Sequence, residues 1–159
     1  MFRILLTTMI LIVSLRATII NFEEEKYIDV LGNSIKKNGK LEFIDNTIKL
    51  QYTNSKRVLI YENEVLNIYI EDEVKKIDLE NQIALKVSFL LIESIHYDNI
   101  KDLENYFIIE KEEDVTFLKP KELLKNHIIS VEYKKTKRLE YLTIFMSNGN
   151  KTTIRELDD

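Results

Sequence analysis

Short runs in which apolar and polar residues alternate dominate this sequence, and this period of two is typical of strands with one buried face. The segment Lys-Leu-Glu-Phe at 40–43 is a clear example. Similar runs recur at 20–30, 48–52, 58–61, 65–70, 107–110, 115–118, 128–133, 139–146 and 152–157. Turn residues separate the runs. Asn38-Gly39 is the strongest short hairpin signal, because both residues tolerate a positive φ.

The middle of the chain has a helical period instead. Apolar or small residues recur there at steps of three and four, at Leu79, Ile83, Val87, Leu90, Leu91 and Ser94. This spacing predicts a helix with one apolar face. A second short helix is predicted over 100–106, with Asp98 or Asn99 as its N-cap.

These elements together predict a mainly β (α+β) protein. About nine or ten strands, broken by one helical block, favour a single antiparallel and strongly curved sheet. A helical insert between two groups of strands predicts an open, unclosed β-barrel in which the helices act as a lid or plug. No linker or repeat stands out, so we predict one domain over 18–159.

The beginning of the chain predicts export. Arg3 precedes an apolar run at 4–15, and Ala17 follows it, which is the layout of a secretory signal peptide. The apolar run is shorter than the ~20 residues of a transmembrane helix. We therefore predict a signal peptide over 1–17 and a periplasmic protein, with an uncleaved N-terminal anchor as the alternative.

Composition excludes several classes of function. The chain has no cysteine, so disulfides, thiolate catalysis and lipidation of a first mature cysteine are excluded. Its net charge of −4 becomes −6 once Arg3 and Arg16 are removed with the leader, which disfavours nucleic-acid binding. His96 and His127 have no nearby ligand spacing, and no phosphate-binding or nucleophile motif is present. We predict no enzymatic activity, no cofactor and no metal site.

The order of several motifs resembles LolA, the periplasmic carrier of outer-membrane lipoproteins. The motifs lie at 22–24 and 38–43, 58–69, 115–121 and 142–154. The resemblance implies a carrier that shields the acyl chains of lipoproteins and delivers them from the inner to the outer membrane. Its implied partners are acylated lipoproteins, an inner-membrane releasing transporter of the LolCDE type and an outer-membrane acceptor, with the carrier itself a monomer. The missing lipidation cysteine fits a shuttling carrier better than LolB, the acceptor.

The resemblance also implies a site. Periodic apolar faces supply its candidate acyl-chain-binding residues, which are Leu41, Phe43, Leu50, Tyr52, Leu66, Ile68, Ile70, Val87, Leu90 and Leu91. The family arginine that holds the lid falls near Lys49, a possible lid contact. Two alternatives remain open: a periplasmic binding protein for another lipid or hydrophobic ligand, and a cell-envelope interaction module without lipid cargo. In the second case the same residues fill an ordinary core, the reading that periodicity alone favours.

Overall fold

A computed structural model describes residues 17–158. In this part of the chain eleven strands form one antiparallel sheet in the order β6-β5-β4-β3-β2-β1-β11-β10-β9-β8-β7. The strands are β1 (Thr18–Ile28), β2 (Asn33–Ile44), β3 (Thr47–Tyr52), β4 (Arg57–Glu62), β5 (Val65–Ile70), β6 (Glu73–Asp78), β7 (Phe107–Glu112), β8 (Val115–Pro120), β9 (Ile128–Lys135), β10 (Leu139–Met146) and β11 (Lys151–Glu156). The linear order leaves β6 and β7 as unjoined edges. The predicted open, mainly β architecture is thus confirmed.

Between these two edge strands the chain forms its helical block. Helix α1 spans Ile83–His96, and a 3₁₀ helix covers Ile100–Asn105. Side chains of α1 belong to two separate apolar clusters, one with β7–β10 and one with β1–β5. The sheet therefore curls around the helix, which lies against its concave face. No helix within 17–158 is long and apolar enough to span a membrane.

The predicted hairpin at Asn38-Gly39 is wrong. Both residues lie inside β2, where Gly39 pairs with Phe22 on one side and with Tyr52 on the other. The actual reversal follows the short 3₁₀ helix Asp29–Leu31 and is completed by Gly32, whose φ is 58°. Gly39 serves a different purpose: a Cβ there would lie 2.8 Å from the ring of Phe22 and 2.7 Å from the carbonyl oxygen of Gln51. The missing side chain leaves room for an aromatic ring on the neighbouring strand.

Gly39→Val is therefore expected to destabilise the fold. Its side chain would displace the buried ring of Phe22, and overpacking of this kind costs about 1–3 kcal/mol. Chemical denaturation measures the loss. Gly32→Asn is the control, because nothing lies within 4 Å of a Cβ there and asparagine tolerates the positive φ. Equal stability of Gly39→Val and wild type would contradict the close-approach explanation.

Two further differences concern element boundaries. Strand β6 was not predicted, because most of its side chains are exposed and it lacks a clear apolar face. Helix α1 begins at Ile83 rather than Leu79. Leu79 is completely buried in the loop before the helix, and its N–H donates to the carbonyl of Glu64.

The predicted signal peptide lies almost entirely outside the described residues.

Candidate functional site

One side of α1 forms an ordinary packed core. Val87 and Leu91 are buried against the wall made by β7–β10. The fully buried partners on that wall include Phe107, Leu118, Ile128 and Val131. Close packing of this kind leaves no room for a ligand. This half of the molecule anchors the helix.

The other side of α1 packs more loosely. Phe89 stacks on Tyr61 of β4, with ring centroids 4.7 Å apart. Leu85 and Ile92 are only partly buried beside the cluster of β1–β5. The helix thus contacts this wall mainly through two aromatic stacks, Phe89 on Tyr61 and His96 on Phe43, and leaves space between them along the seam of β1 and β11.

Two cavities occupy this space. The first, of about 250 Å³, lies at the C-terminal end of α1. Its apolar lining consists mainly of Ile20, Phe22, Leu41, Phe43, Ile92, Ile95, Leu139, Leu142 and Ile154. The second, of about 270 Å³, lies beside the N-terminal half of the helix. Its additional apolar lining is Leu50, Leu59, Leu85, Phe89, Ile144 and Met146.

The cavities share part of their walls. Phe22, Ile92, Leu142 and Ile154 line both of them, so the two spaces adjoin at these side chains. Each cavity is slightly smaller than the about 300–1,000 Å³ typical of small-molecule pockets, and the two together reach that range. The two cavities are thus adjoining parts of one apolar region.

The predicted site residues divide between these environments. Leu41 and Phe43 line the first cavity, and Leu50 and Tyr52 line the second. The other predicted residues lie outside both cavities. Leu66 is buried in the β1–β5 cluster, and Val87 and Leu91 belong to the packed core. Ile68 lines an open groove beyond Tyr52, and Ile70 and Leu90 are partly buried. Helical periodicity identifies an apolar face but not the wall that it meets.

Three of the residues that line both cavities, Phe22, Ile92 and Ile154, were not among the predicted site residues. Phe22 and Ile154 lie in predicted strands and alternate with polar neighbours, so their inward direction was available from the pattern. Ile92 lies on a part of the helix outside the predicted stripe. Only the fold brings β1 beside β11 and thereby places these residues around one space.

Lys49 does not contact the helix in this structure, contrary to the expectation of a lid contact. It alternates with the inward-facing Ile48 and Leu50 and therefore points to the outer face of β3. Its Nζ donates to Oε2 of Glu42 on β2 at 3.0 Å. The pair is half exposed, so it contributes little to stability.

A different lysine holds the helix. Lys135 at the end of β9 donates to the carbonyl oxygens of Ile95 at 2.7 Å and of His96 at 3.1 Å. The same Nζ lies 2.8 Å from the Asp98 carboxylate. Lysines at helix C-termini satisfy terminal carbonyls and favour the negative end of the helix dipole. We call this set of contacts the Lys135 latch.

Two more polar contacts tie the helical block to the sheet. The Tyr97 hydroxyl donates to the carbonyl oxygen of Asp45, in the β2–β3 turn, at 2.8 Å. Near the other end of α1, Lys86 pairs with Glu64 of the β4–β5 turn at 2.7 Å. Polar contacts thus hold the helical block at both ends, and the Tyr97–Asp45 and Lys86–Glu64 contacts lie outside the cavities. Such contacts can break without disturbing the packed core.

His96 closes the first cavity at the helix end. Its ring stacks on Phe43, with centroids 3.6 Å apart and planes 5° from parallel. Burial lowers the pKa of His96, and the positive charge of Lys135 lowers it further, while Glu156 and Asp98 act weakly in the opposite direction. The neutral imidazole is therefore the favoured form in the folded protein.

This lowered pKa predicts a pH dependence. The unfolded chain takes up a proton at His96 near its ordinary pKa of 6.5, whereas the folded chain does so only at lower pH. Stability is thus retained above that pH and is lost as pH falls from there to the folded pKa. Denaturation between about pH 7 and 5 should show a smaller loss for His96→Phe, which keeps the stacking but cannot titrate. Burial raises the pKa of Glu93, but Glu93 is present in both the wild type and His96→Phe, so the comparison between them isolates His96. An identical pH profile would contradict this role.

No group of three or more metal-binding side chains occurs among residues 17–158.

No protein-family model and no curated protein sequence matches the chain. A crystal structure of a proposed outer membrane lipoprotein-sorting protein domain from Vibrio parahaemolyticus is similar, with a TM-score of 0.51 and 11% sequence identity. The match covers 89% of this chain and 83% of that one. At this identity the similarity concerns the fold, and it supports the fold implied by the sequence resemblance.

Proposed function

We propose that this protein is a periplasmic carrier that shields lipoprotein acyl chains and delivers them from the inner to the outer membrane. The observation that carries the proposal is the apolar space between α1 and the β1–β11 seam. An ordinary core closes such space, because interiors pack as densely as organic crystals. The similar fold of a proposed lipoprotein-sorting domain adds support.

The geometry suits a carrier that opens. The cavities are too small for several acyl chains while α1 is in place, so loading requires the helix to move away from the β1–β5 wall. Each methylene withdrawn from water contributes ~0.8 kcal/mol. A few methylenes therefore offset the polar contacts that hold the helix ends. The β7–β10 wall would keep its side of the helix packed during this motion.

The proposed route follows from this physics. An inner-membrane releasing transporter of the LolCDE type would load the carrier, and an outer-membrane acceptor that binds the chains more tightly would unload it. The carrier contributes binding and release without a catalytic step. Removal of residues 1–17 is part of the proposal, and N-terminal sequencing of the exported protein should find a start near Thr18.

Intact mass analysis of the protein purified from its own periplasm tests the proposal. Acylated protein should accompany the carrier and leave it when lipid vesicles are added. A protein that is always recovered empty, and binds no apolar fluorescent probe, would contradict the carrier role and favour an interaction module. Recovery with a free lipid in place of acylated protein would favour a binding protein for another hydrophobic ligand.

A further inference from the structure

The mouth of the first cavity differs chemically from its interior. Of the charged residues that line it, Lys135, Lys137 and Arg138 are cationic and Glu156 is anionic. The three cations come from β9 and the turn that connects it to β10, so one short segment concentrates positive charge at an apolar opening. The net charge of the whole chain is −4, so this local excess of positive charge does not follow from the overall composition.

The charged side chains at the mouth of the first cavity differ in whether they already have a partner in the protein. Lys135 is occupied by the Lys135 latch, and Glu156 accepts the backbone N–H of Leu139 at 2.9 Å. Arg138 pairs with Asp158, whose side chain is 83% exposed, so water weakens that pair. Lys137 forms no ion pair within residues 17–158. Lys137 is thus free to bind an anion from outside, and Arg138 can exchange its solvent-weakened pair with Asp158 for such an anion.

We propose that this cavity binds a single-chain amphiphile with a carboxylate head, that is, a fatty-acid anion. Its chain would lie between Leu41, Phe43 and Leu142, and its head between Lys137 and Arg138. Arginine suits this task because its planar guanidinium donates two parallel hydrogen bonds to one carboxylate. The assignment rests on the apolar space of the proposed function, and it adds a free single-chain ligand to the lipoprotein acyl chains proposed there.

The size of the cavity fits one chain better than several. A space of about 250 Å³ accommodates a medium-length chain without displacement of α1, and passage between Phe22 and Ile92 would admit a longer one. Affinity should therefore rise about four-fold per added methylene and then level off when the space is full.

Displacement of an apolar fluorescent probe by decanoate, decanol and decyltrimethylammonium, each below its micelle concentration, tests the proposal. Decanoate should displace the probe at a concentration about ten-fold lower than decanol, and the cationic compound should be weakest. Lys137→Gln combined with Arg138→Gln should abolish the advantage of decanoate and leave decanol unchanged. Arg57→Gln, at the start of β4 and outside both cavities, is the matched control and should change nothing.

The outcomes separate two failures. Equal displacement by decanoate and decanol in wild type would overturn the head-group assignment and leave the carrier function standing. The same conclusion follows if Arg57→Gln weakens decanoate as much as the mouth variants do, because the effect would then be a general one of net charge. Displacement by none of the three compounds, together with no binding of the probe, would contradict both the head-group assignment and the carrier function.

Discussion

Ile92→Trp is expected to reduce binding of an apolar probe at least ten-fold and to lower the stability of the fold by no more than about 1 kcal/mol. Ile92 lines both cavities, so a larger side chain there would occupy the space that a ligand needs. A void accepts added atoms with little strain, whereas a packed core does not. Binding titration and chemical denaturation of the same preparation measure the two effects.

Ile128→Trp is the matched control for that experiment. Ile128 is 1% exposed and lies in the packed cluster of the β7–β10 wall. The same substitution there should destabilise the protein by about 1–3 kcal/mol or more. If both variants lose equal stability, α1 faces a filled core on both sides and the carrier proposal fails. If Ile92→Trp still binds the probe as wild type does, the probe binds elsewhere and the cavities at Ile92 are not the binding site.

Lys135→Met is expected to loosen the end of the helix. It removes the Lys135 latch and leaves the carbonyls of Ile95 and His96 without this donor. Hydrogen bonds from a charged group contribute about 1.5–3 kcal/mol, so the variant should lose stability of that order. Amide exchange at 93–98 should accelerate at least ten-fold. Stopped-flow probe uptake should become faster, because His96 at this end of the helix closes the first cavity and a loosened end uncovers that cavity more often.

Lys134→Met provides the comparison within the same strand. Lys134 points to the other face of β9 and pairs with Glu140 at 3.3 Å and Asp114 at 3.9 Å. Exposed pairs of this kind contribute about 0–1 kcal/mol, so exchange at 93–98 and probe uptake should stay as in wild type. Uptake accelerated equally by both substitutions would show that net charge, and not the Lys135 latch, controls opening.

The predicted site residues show which parts of the cavity lining follow from sequence periodicity. Leu41, Phe43, Leu50 and Tyr52, the strand residues predicted to bind acyl chains, line the two cavities, because alternation determines which side chains of a strand point the same way. Their binding of acyl chains stays a prediction. Val87 and Leu91, predicted to bind the same chains, lie in the packed core. A helical stripe with walls on both sides is apolar in either case, so its period cannot distinguish packing from lining.

The lid contact illustrates a different kind of error. The placement of Lys49 came from its similarity in position to a family arginine, although alternation with Ile48 and Leu50 already pointed it outward. The residue that does hold the helix, Lys135, belongs to a basic turn that shows no local sign of this role. Its partners, Ile95 and His96, are about 40 residues away in the sequence, and only the curl of the sheet brings them within hydrogen-bond distance.

The sequence by itself determined the type of the main elements other than β6 and the open, mainly β class, because these depend on local periodicity and on turn residues. It did not determine that Gly39 lies inside a strand, since a glycine that admits a neighbouring ring and one that forms a turn look alike locally. The tertiary structure alone decided which apolar faces meet and which remain apart. That outcome depends on the pairing of β1 with β11, 130 residues apart, and on which wall the helix packs against. Such long-range contacts leave no periodic trace in either segment.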